Sequence, residues 1–487
     1  MKKPAKKSVR ETGGIYAAEE TAAEKNLISG VVTKLNGGFN DTAFADNKSR
    51  PIHRWIPWIA GFSSAFVTDV FNRYIPSGRQ GEAAVLDPFC GVGTTLMEAA
   101  LSGHNSVGFE INPYPALASR AKLEAAAISP TQFRRFITEF QQHMASDQPP
   151  THTARPPEFF NTRIPFFGKA TEGKVLRAVS FIRGISVAPV RDLFSLAFGS
   201  VMVSVSNYSY EPSLSSRPGC GKPVQDDAPV TETLLKKLEA MHEDIVWLRA
   251  RTEKFQRPPK GRVIADSFLN AQSYLDANSI NLIVTSPPYL NNYHYVRNTR
   301  PQLFWLGLVQ KPKDLKRLEM ENFGKYWQTV RDMEPLPLEF EDAQLSDLLA
   351  QIRSVNPHRG VYGGNGWANY AACYFNDMDK FCQTMKHVLK PNAFAVIVVG
   401  NSILQGVEIL IDDIFSRIAA RHGLRTENIH VLREKRVGAS IVGSSVRQGA
   451  KTKAHLYESA VILQKAKSAQ PLSFRFPKSR QMTFDSL

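Results

Sequence analysis

The sequence predicts an α/β fold in which short buried strands alternate with amphipathic helices around a mostly parallel sheet. The alternation begins at residue 84, where the first of several short apolar runs is followed by a helical pattern. Four of these runs end at a polar residue: Asp87, Glu110, Asp266 and Ser286. Because ligands of parallel sheets bind beyond the carboxyl ends of the strands, these four positions predict one site at one edge of the sheet.

The individual elements follow from hydrophobic periodicity and from the residues that start and stop helices. Strands are predicted at 84–86, 105–109, 262–265, 280–284, 393–399, 428–433 and 456–464. Helices are predicted at 65–74, 94–101, 116–127, 172–184, 192–205, 231–253, 375–389 and 407–421. Two stretches interrupt the alternation: residues 130–258 carry mainly helical patterns, and residues 297–368 are irregular.

The charge balance is basic, with 60 Lys and Arg against 45 Asp and Glu, a net charge of +15. Such an excess indicates a polyanionic partner, although a solvated basic surface with charged tails is the simpler alternative. None of the four cysteines forms a C-x-x-C pair, so neither a zinc knuckle nor a disulfide framework is indicated. The sequence lacks an apolar run of roughly 18 residues and a secretory signal, which favours a cytoplasmic protein with no membrane contact.

The turn after the first strand carries the first motif, which runs from Asp87 to Thr95 as D-P-F-C-G-V-G-T-T. Gly91 and Gly93 permit positive φ and a close approach of the backbone to a ligand, and the helix that starts at Thr94 can receive an anionic group. Glu110 ends the next strand, where a carboxylate can accept hydrogen bonds from both hydroxyls of a ribose. A nucleoside-containing cofactor is predicted; an ordinary βα turn is the alternative.

The second motif is Thr285-Ser286-Pro287-Pro288-Tyr289, at the end of a later strand. Two consecutive prolines stiffen the backbone and leave carbonyl oxygens as fixed acceptors. Rigid acceptors beside an aromatic ring suit an extruded base that carries an amino group, whereas a turn with a packed tyrosine is the structural alternative. No cysteine lies near this motif, so chemistry through a cysteine thiolate adduct to the base is excluded.

Together the two motifs resemble those of the DNA amino-methyltransferases, which modify N4 of cytosine or N6 of adenine. Residues 87–94 are similar to the family's cofactor motif D-P-F-x-G-x-G-T, and residues 285–289 to its catalytic (S/N/D)-P-P-(Y/F) motif. The T-S-P-P-Y form is typical of the cytosine-N4 subgroup. Residues 51–67 resemble the segment that closes over the methionine part of the cofactor, and residues 107–113 the ribose-binding strand end.

The resemblance implies a class I S-adenosylmethionine-dependent methyltransferase fold, Rossmann-like with a mostly parallel seven-stranded sheet, and a mainly helical insertion. The implied cofactor is S-adenosylmethionine, with no metal. The residues implied to bind it are Phe62, Ser63, Asp87, Phe89, Gly91, Gly93, Thr94, Glu110, Asp266 and Ser267. The residues implied to be catalytic are Ser286, Pro287, Pro288 and Tyr289.

The domain organisation predicted on this basis has a methyltransferase domain in two parts. Its segments are a flexible basic arm (1–45), the cofactor-binding part (46–128), an insertion (129–258), the catalytic part (259–465) and a basic tail (466–487). The motif order assigns target recognition to the insertion. The irregular stretch 297–368 is a rival, because its aromatic and basic residues could also touch DNA.

These observations predict site-specific methylation of cytosine N4 in double-stranded DNA by base flipping, within a restriction-modification or defence system. Adenine N6 is the main alternative, and an RNA or protein methyltransferase and a non-catalytic DNA-binding subunit are further ones. Ser286 in place of an aspartate favours cytosine. The expected partner besides DNA is a cognate restriction endonuclease, and the expected location is the bacterial or archaeal cytoplasm, in association with the nucleoid.

Overall fold

The fold is taken from a computed structural model of the chain. The residues it describes are 38–40, 43–58, 61–76, 83–146, 154–210, 213–290, 294–435 and 456–467. The predicted arm and tail therefore lie almost wholly outside the described residues. Within the described ranges, no helix is both long enough and apolar enough to cross a membrane.

A seven-stranded sheet organises the structure. Its strands are β1 (Ala84–Asp87), β2 (Asn105–Phe109), β5 (Gly261–Ile264), β6 (Ile280–Thr285), β7 (Leu389–Gly400), β10 (Leu424–Lys435) and β11 (Leu456–Lys465), in the order β10-β11-β7-β6-β1-β2-β5. Two small hairpins complete the set: β3 (Tyr208–Tyr210) with β4 (Leu214–Ser216), and β8 (Ser402–Leu404) with β9 (Val407–Ile409). All neighbours in the large sheet are parallel except β11, which is antiparallel to both β7 and β10. The predicted mostly parallel seven-stranded sheet is confirmed.

Thirteen α-helices are described around this sheet. They are α1 (Ser64–Tyr74), α2 (Thr94–Leu101), α3 (Pro113–Glu124), α4 (Pro130–Ala145), α5 (Lys169–Gly184), α6 (Ala188–Val201), α7 (Val230–Thr252), α8 (Tyr295–Trp305), α9 (Pro312–Glu321), α10 (Trp327–Val330), α11 (Ala343–Ser354), α12 (Gly364–Val388) and α13 (Ile411–Arg421).

Helices cover both faces of the sheet, as the strand sequences require. On β1, Val85 joins a cluster with Phe66 of α1, while its neighbour Leu86 joins a cluster with Phe375 of α12. Successive side chains of a strand point to opposite faces, so a strand that is apolar at every position must be covered twice. Each fully buried side chain of this size stabilises the fold by about 1.5–3 kcal/mol.

The helical insertion shares one apolar core with α3 rather than forming a separate lobe. Its α7 also holds the segment before the cofactor turn through Asp244, a carboxylate only 2% exposed. Asp244 accepts hydrogen bonds from the backbone N–H of Ile52 (2.8 Å), the guanidinium of Arg54 (2.7 Å) and the indole N–H of Trp55 (2.9 Å). The insertion therefore fixes the segment that leads to Trp58.

Two predicted elements need correction, and one helix was not predicted. The stretch 297–368 is not irregular, because α8 to α11 lie wholly or mostly within it; Pro301 inside α8 hides the helical pattern. The predicted helix 407–421 begins only at Ile411, since a turn at Gln405 and Gly406, both at positive φ, pairs β8 with β9. Helix α4 was not predicted, although Ser129 caps it and proline follows.

Candidate active site

A cavity of about 350 Å³ lies at the carboxyl ends of β1, β2, β5 and β6. Twelve of the fourteen predicted site residues line it: Phe62, Asp87, Phe89, Gly91, Thr94, Glu110, Asp266, Ser267, Ser286, Pro287, Pro288 and Tyr289. Ser63 and Gly93 do not line it; they are the N-caps of α1 and α2 and are adjacent in the chain to the lining residues Phe62 and Thr94. Residues that are far apart in the chain are thus brought to one concave surface at the edge where ligands of such sheets bind.

The cofactor turn needs glycine at two positions. Gly91 and Gly93 have φ of 49° and 81°, in the left-handed region that other residues adopt only with strain. A Cβ on Gly93 would also lie 2.8 Å from Oγ of Ser119. Ser119 in turn donates a 2.6 Å hydrogen bond to the Gly91 carbonyl, which fixes the turn from below and leaves the N-terminus of α2 facing the cavity.

Glu110 ties the end of β2 to this turn. One oxygen accepts the backbone N–H of Gly91 (3.1 Å) and the other accepts that of Asn112 (2.8 Å). Burial raises the pKa of Glu110 to about 7, against the opposing effect of these hydrogen bonds. Each carboxylate oxygen retains a lone pair, so the group can accept two further hydrogen bonds from a ligand in the cavity.

Asp87 connects the two motifs. It is 3% exposed and accepts hydrogen bonds from the Thr285 hydroxyl (2.6 Å) and the Phe89 backbone N–H (3.1 Å). Burial raises the pKa of Asp87 to about 6, while these hydrogen bonds act in the opposite direction. The cofactor motif and the catalytic motif therefore share a hydrogen bond between adjacent strands.

Asp266 occupies the third strand end. Partial burial opposes its ionisation, but hydrogen bonds from the Tyr274 hydroxyl (2.7 Å), the Asn270 amide (3.0 Å) and the Ser267 backbone N–H (2.7 Å) keep the pKa of Asp266 below its usual value. Ser267 caps the 3₁₀ turn Phe268–Ser273. This wall of the cavity therefore presents a carboxylate that stays ionised.

The catalytic motif begins at the residue after β6. The hydroxyl of Ser286 lies 3.3 Å from that of Tyr289, and the Tyr289 ring packs against Gly400, where a Cβ would meet it at 2.9 Å. Burial raises the pKa of Tyr289 well above its usual value, so the phenol stays protonated. The motif thus presents a neutral hydroxyl and a fixed aromatic ring beside the two prolines.

Known proteins with similar sequences are type II methyltransferases. Residues 46–119, which include the cofactor turn and Glu110, match the DNA methylase family of N6- and N4-methylating enzymes. Over this segment the chain is similar to the DNA amino-methyltransferases. S-adenosylmethionine is accordingly its methyl donor, and the ionisable pair of Asp87 and Glu110 beside a glycine turn fits that cofactor's cationic and hydroxyl groups.

Three curated relatives extend the similarity over most of the chain. The type II methyltransferase M.BsoBI of Geobacillus stearothermophilus is 25% identical over 436 residues, covering 82% of this chain and 83% of that protein. M.AvaI of Nostoc is 24% identical, covering 80% and 82%, and M.MvaI of Kocuria varians is 23% identical, covering 84% and 89%. The similarity of this chain to type II methyltransferases therefore reaches well beyond the matched family segment.

Several lining residues lie outside the predicted set, among them Trp58, Tyr295, Arg433 and Glu458. Trp58 and Tyr295 stack with ring centroids 6.4 Å apart and 17° between their planes, and Arg433 forms a 2.8 Å ion pair with Glu458. A charged residue near the end of a strand is usually solvated, but Arg433 lines the cavity and is paired there. The pairing depends on the register of β10 with β11, and no local sequence pattern reports that register.

Proposed function

We propose that this DNA amino-methyltransferase transfers the methyl group to the exocyclic N4 of cytosine in duplex DNA. The proposal rests on one observation: Ser286 and Pro287 line the same cavity as Gly91 of the glycine turn and Glu110. A base whose amino group reaches Ser286 would therefore face a cofactor held by the turn. Base and cofactor need to meet in that way for direct transfer.

The exocyclic amino nitrogen is a poor nucleophile, because its lone pair is delocalised into the ring. Hydrogen bonds from its two hydrogens to Ser286 Oγ and to the Pro287 carbonyl draw it toward tetrahedral geometry. Bound S-adenosylmethionine supplies an electrophilic methyl on a sulfonium, whose bonding electrons stay on sulfur as the new N–C bond forms. The nitrogen then releases one proton to water, and the fixed acceptor dipoles stabilise the positive charge that develops on it.

Tyr289 is assigned the role of stacking on the face of the extruded base. Its ring is held against Gly400, so it can stack on a base without first being ordered. Ser286 offers a neutral acceptor, which favours cytosine in the family resemblance; adenine N6 is the runner-up on the same scaffold. A non-catalytic DNA-binding role is disfavoured because the cavity between the two motifs is open rather than filled with packed side chains.

The biological role proposed is modification within a restriction-modification system, with a cognate endonuclease as partner. Target recognition is assigned to residues 129–258. One observation supports the rival segment: the Arg331 guanidinium packs against the rings of both Trp327 (4.7 Å) and Tyr362 (5.0 Å), and Tyr362 is 55% exposed. An exposed aromatic ring with a guanidinium on its face is a common stacking platform for nucleic acid.

Nucleoside analysis of host DNA tests the proposal. The protein is expressed in a host without other DNA methyltransferases, and the DNA is hydrolysed and analysed by mass spectrometry. We expect N4-methylcytosine, and none from the matched variant Ser286→Ala expressed at the same level. N6-methyladenine alone would replace the cytosine assignment with the adenine one. Methylation of RNA with unmodified DNA would overturn the DNA substrate.

A further inference from the structure

The cavity has a charged wall on its β10–β11 side that the proposed reaction does not yet use. In the sheet register, Gly400 pairs with Glu458 and Glu458 pairs with Arg433, so the three residues form a row across β7, β11 and β10. Tyr289 packs on the first member of the row, and Arg433 and Glu458 both line the cavity. The ion pair therefore lies in the neighbourhood of the proposed base-stacking ring.

The ion pair leaves part of the Arg433 guanidinium unused. Nη2 of Arg433 donates to Oε2 of Glu458 at 2.8 Å, and the Glu458 side chain is only 8% exposed against 36% for Arg433. Nε of Arg433 is buried and finds no hydrogen-bond partner among the residues that the structure describes. A buried donor without a partner carries a desolvation cost, so the arrangement favours a ligand that supplies acceptors.

We propose that Arg433 donates hydrogen bonds to ring N3 and O2 of the target cytosine, and that Glu458 is a positioning residue that orients the guanidinium. This inference rests on the proposed cytosine-N4 function and assigns Arg433 as the residue that selects the base. Arg433 would touch the substrate, whereas Glu458 acts through Arg433.

The chemistry of the two candidate bases supports this assignment. When the amino group of cytosine lies at Ser286, the next two positions along the same edge are N3 and O2, which are both acceptors. A planar guanidinium offers donors in a fixed fork that matches two adjacent acceptors. Adenine presents N1 and then a C–H at the corresponding positions, which leaves one guanidinium N–H facing a group that cannot accept it. The Arg433 guanidinium therefore favours cytosine over adenine.

The first test compares two arginines of the same strand. Arg433→Ala is compared with Arg425→Ala, since Arg425 also lies on β10 but is exposed. The substrate is a duplex that contains the site identified by methylation sequencing. We expect Arg433→Ala to lower kcat/KM for DNA by about 10- to 100-fold, the loss typical of a bidentate base contact. The Kd for S-adenosylmethionine should be unchanged, and Arg425→Ala should behave as the parent.

The second test separates base contact from a merely structural role. The target cytosine is replaced by 2-thiocytosine, whose sulfur is a weaker hydrogen-bond acceptor than O2. The parent and Arg425→Ala should both lose activity on the thio substrate, whereas Arg433→Ala should lose little more, because its donor is already gone. An equal thio effect in all three proteins would overturn the inference, as would normal activity of Arg433→Ala on cytosine.

Failure of the inference can be distinguished from failure of the proposed function. If the parent produces N4-methylcytosine and the Arg433 variants behave as the Arg425 control, only the assignment of Arg433 is wrong. If the parent produces N6-methyladenine, the cytosine function itself is wrong and the assignment is overturned with it. Glu458→Gln gives a further check: it should lower kcat/KM in the same direction as Arg433→Ala but by a smaller factor.

Discussion

The hydroxyl of Thr285 donates a 2.6 Å hydrogen bond to the carboxylate of Asp87, which joins the last residue of β6 to the last residue of β1. Both side chains are buried, so this bond is shielded from competing water. It connects the strand end that starts the catalytic motif to the strand end that starts the cofactor turn. The relative position of base and cofactor depends on these two adjacent strand ends.

Replacing Thr285 with valine should weaken cofactor binding. Thr285→Val keeps the shape of the side chain but removes the donor, so the pKa of Asp87, which burial already raises to about 6, should rise further. A hydrogen bond to a charged group contributes about 1.5–3 kcal/mol, or roughly 10- to 100-fold in affinity. We expect the Kd for S-adenosylmethionine at pH 7 to rise by about 10-fold in titration calorimetry. Thr285→Ser, which retains the hydroxyl, should bind S-adenosylmethionine nearly as tightly as the parent. Equal affinities of the valine and serine variants would contradict a role of the Thr285–Asp87 hydrogen bond in cofactor binding.

Cofactor affinity should increase with pH through neutrality. Because burial raises the pKa of Glu110 to about 7, the free protein carries a mixture of acid and carboxylate at pH 7. Only the ionised form accepts both ribose hydroxyls, so the affinity should be low near pH 6 and reach a plateau above about pH 8. Glu110→Gln should bind more weakly at pH 8 and lose the part of this dependence that is centred near pH 7. The contributions of Asp87, whose pKa burial raises to about 6, and of the ligand's own ionisation should remain. A parental pH profile that parallels that of Glu110→Gln would contradict the assignment.

Gly400→Ala should impair the transfer step without affecting the cofactor. The added Cβ would lie 2.9 Å from the Tyr289 ring, which must shift. We expect kcat to fall by roughly 10-fold, since overpacking of this kind costs about 1–3 kcal/mol, with an unchanged Kd for S-adenosylmethionine. Gly173→Ala is the matched control, because a Cβ there meets nothing within 4 Å. Single-turnover kinetics on the preferred duplex measures both variants.

Lys122 should make the stability of the protein depend on pH. It is fully buried, donates to the Val92 carbonyl at 2.8 Å, and burial lowers its pKa from 10.5 to about 7. Between these values the unfolded chain binds a proton that the folded chain does not, so stability rises with pH in this window, by at most about 1.4 kcal/mol per pH unit. Lys122→Met removes this contribution.

Urea unfolding at pH 7 and pH 9 measures the effect. The free energy of unfolding of the parent should increase from pH 7 to pH 9 relative to that of Lys122→Met. Lys254→Met serves as a control. Lys254 is exposed, so its replacement should leave the pH dependence of the free energy of unfolding as it is in the parent. Parallel profiles for the parent and Lys122→Met would contradict the account.

The sequence predicted the parts of this fold that depend on local patterns. Helix α2 and strand β2 were predicted with the bounds that the structure gives them, because Gly93 immediately precedes the helix and Gly103 lies in the turn between helix and strand. The carboxyl ends of β1, β2, β5 and β6 meet in one cavity for the same reason: parallel strands place their ends on one edge.

What the sequence could not reveal depends on contacts between distant segments. Arg433 and Glu458 meet only through the register of β10 with β11, and Trp58 is held through contacts of its neighbours with Asp244 in the insertion. Helix α8 was hidden by Pro301, since a proline inside a helix weakens the periodic pattern without always preventing the helix. The residues that complete the site therefore came from packing rather than from motifs.

The most direct test of the central claim is a crystal structure of the protein with a non-reactive cofactor analogue, such as sinefungin, and a duplex that carries its recognition site. The account predicts that the ribose of the analogue is hydrogen-bonded to Glu110 and that the target cytosine is extruded into the same cavity, with its amino group at Ser286 and the Pro287 carbonyl. An analogue bound away from the glycine turn, or a target base that contacts neither Ser286 nor Pro287, would contradict it.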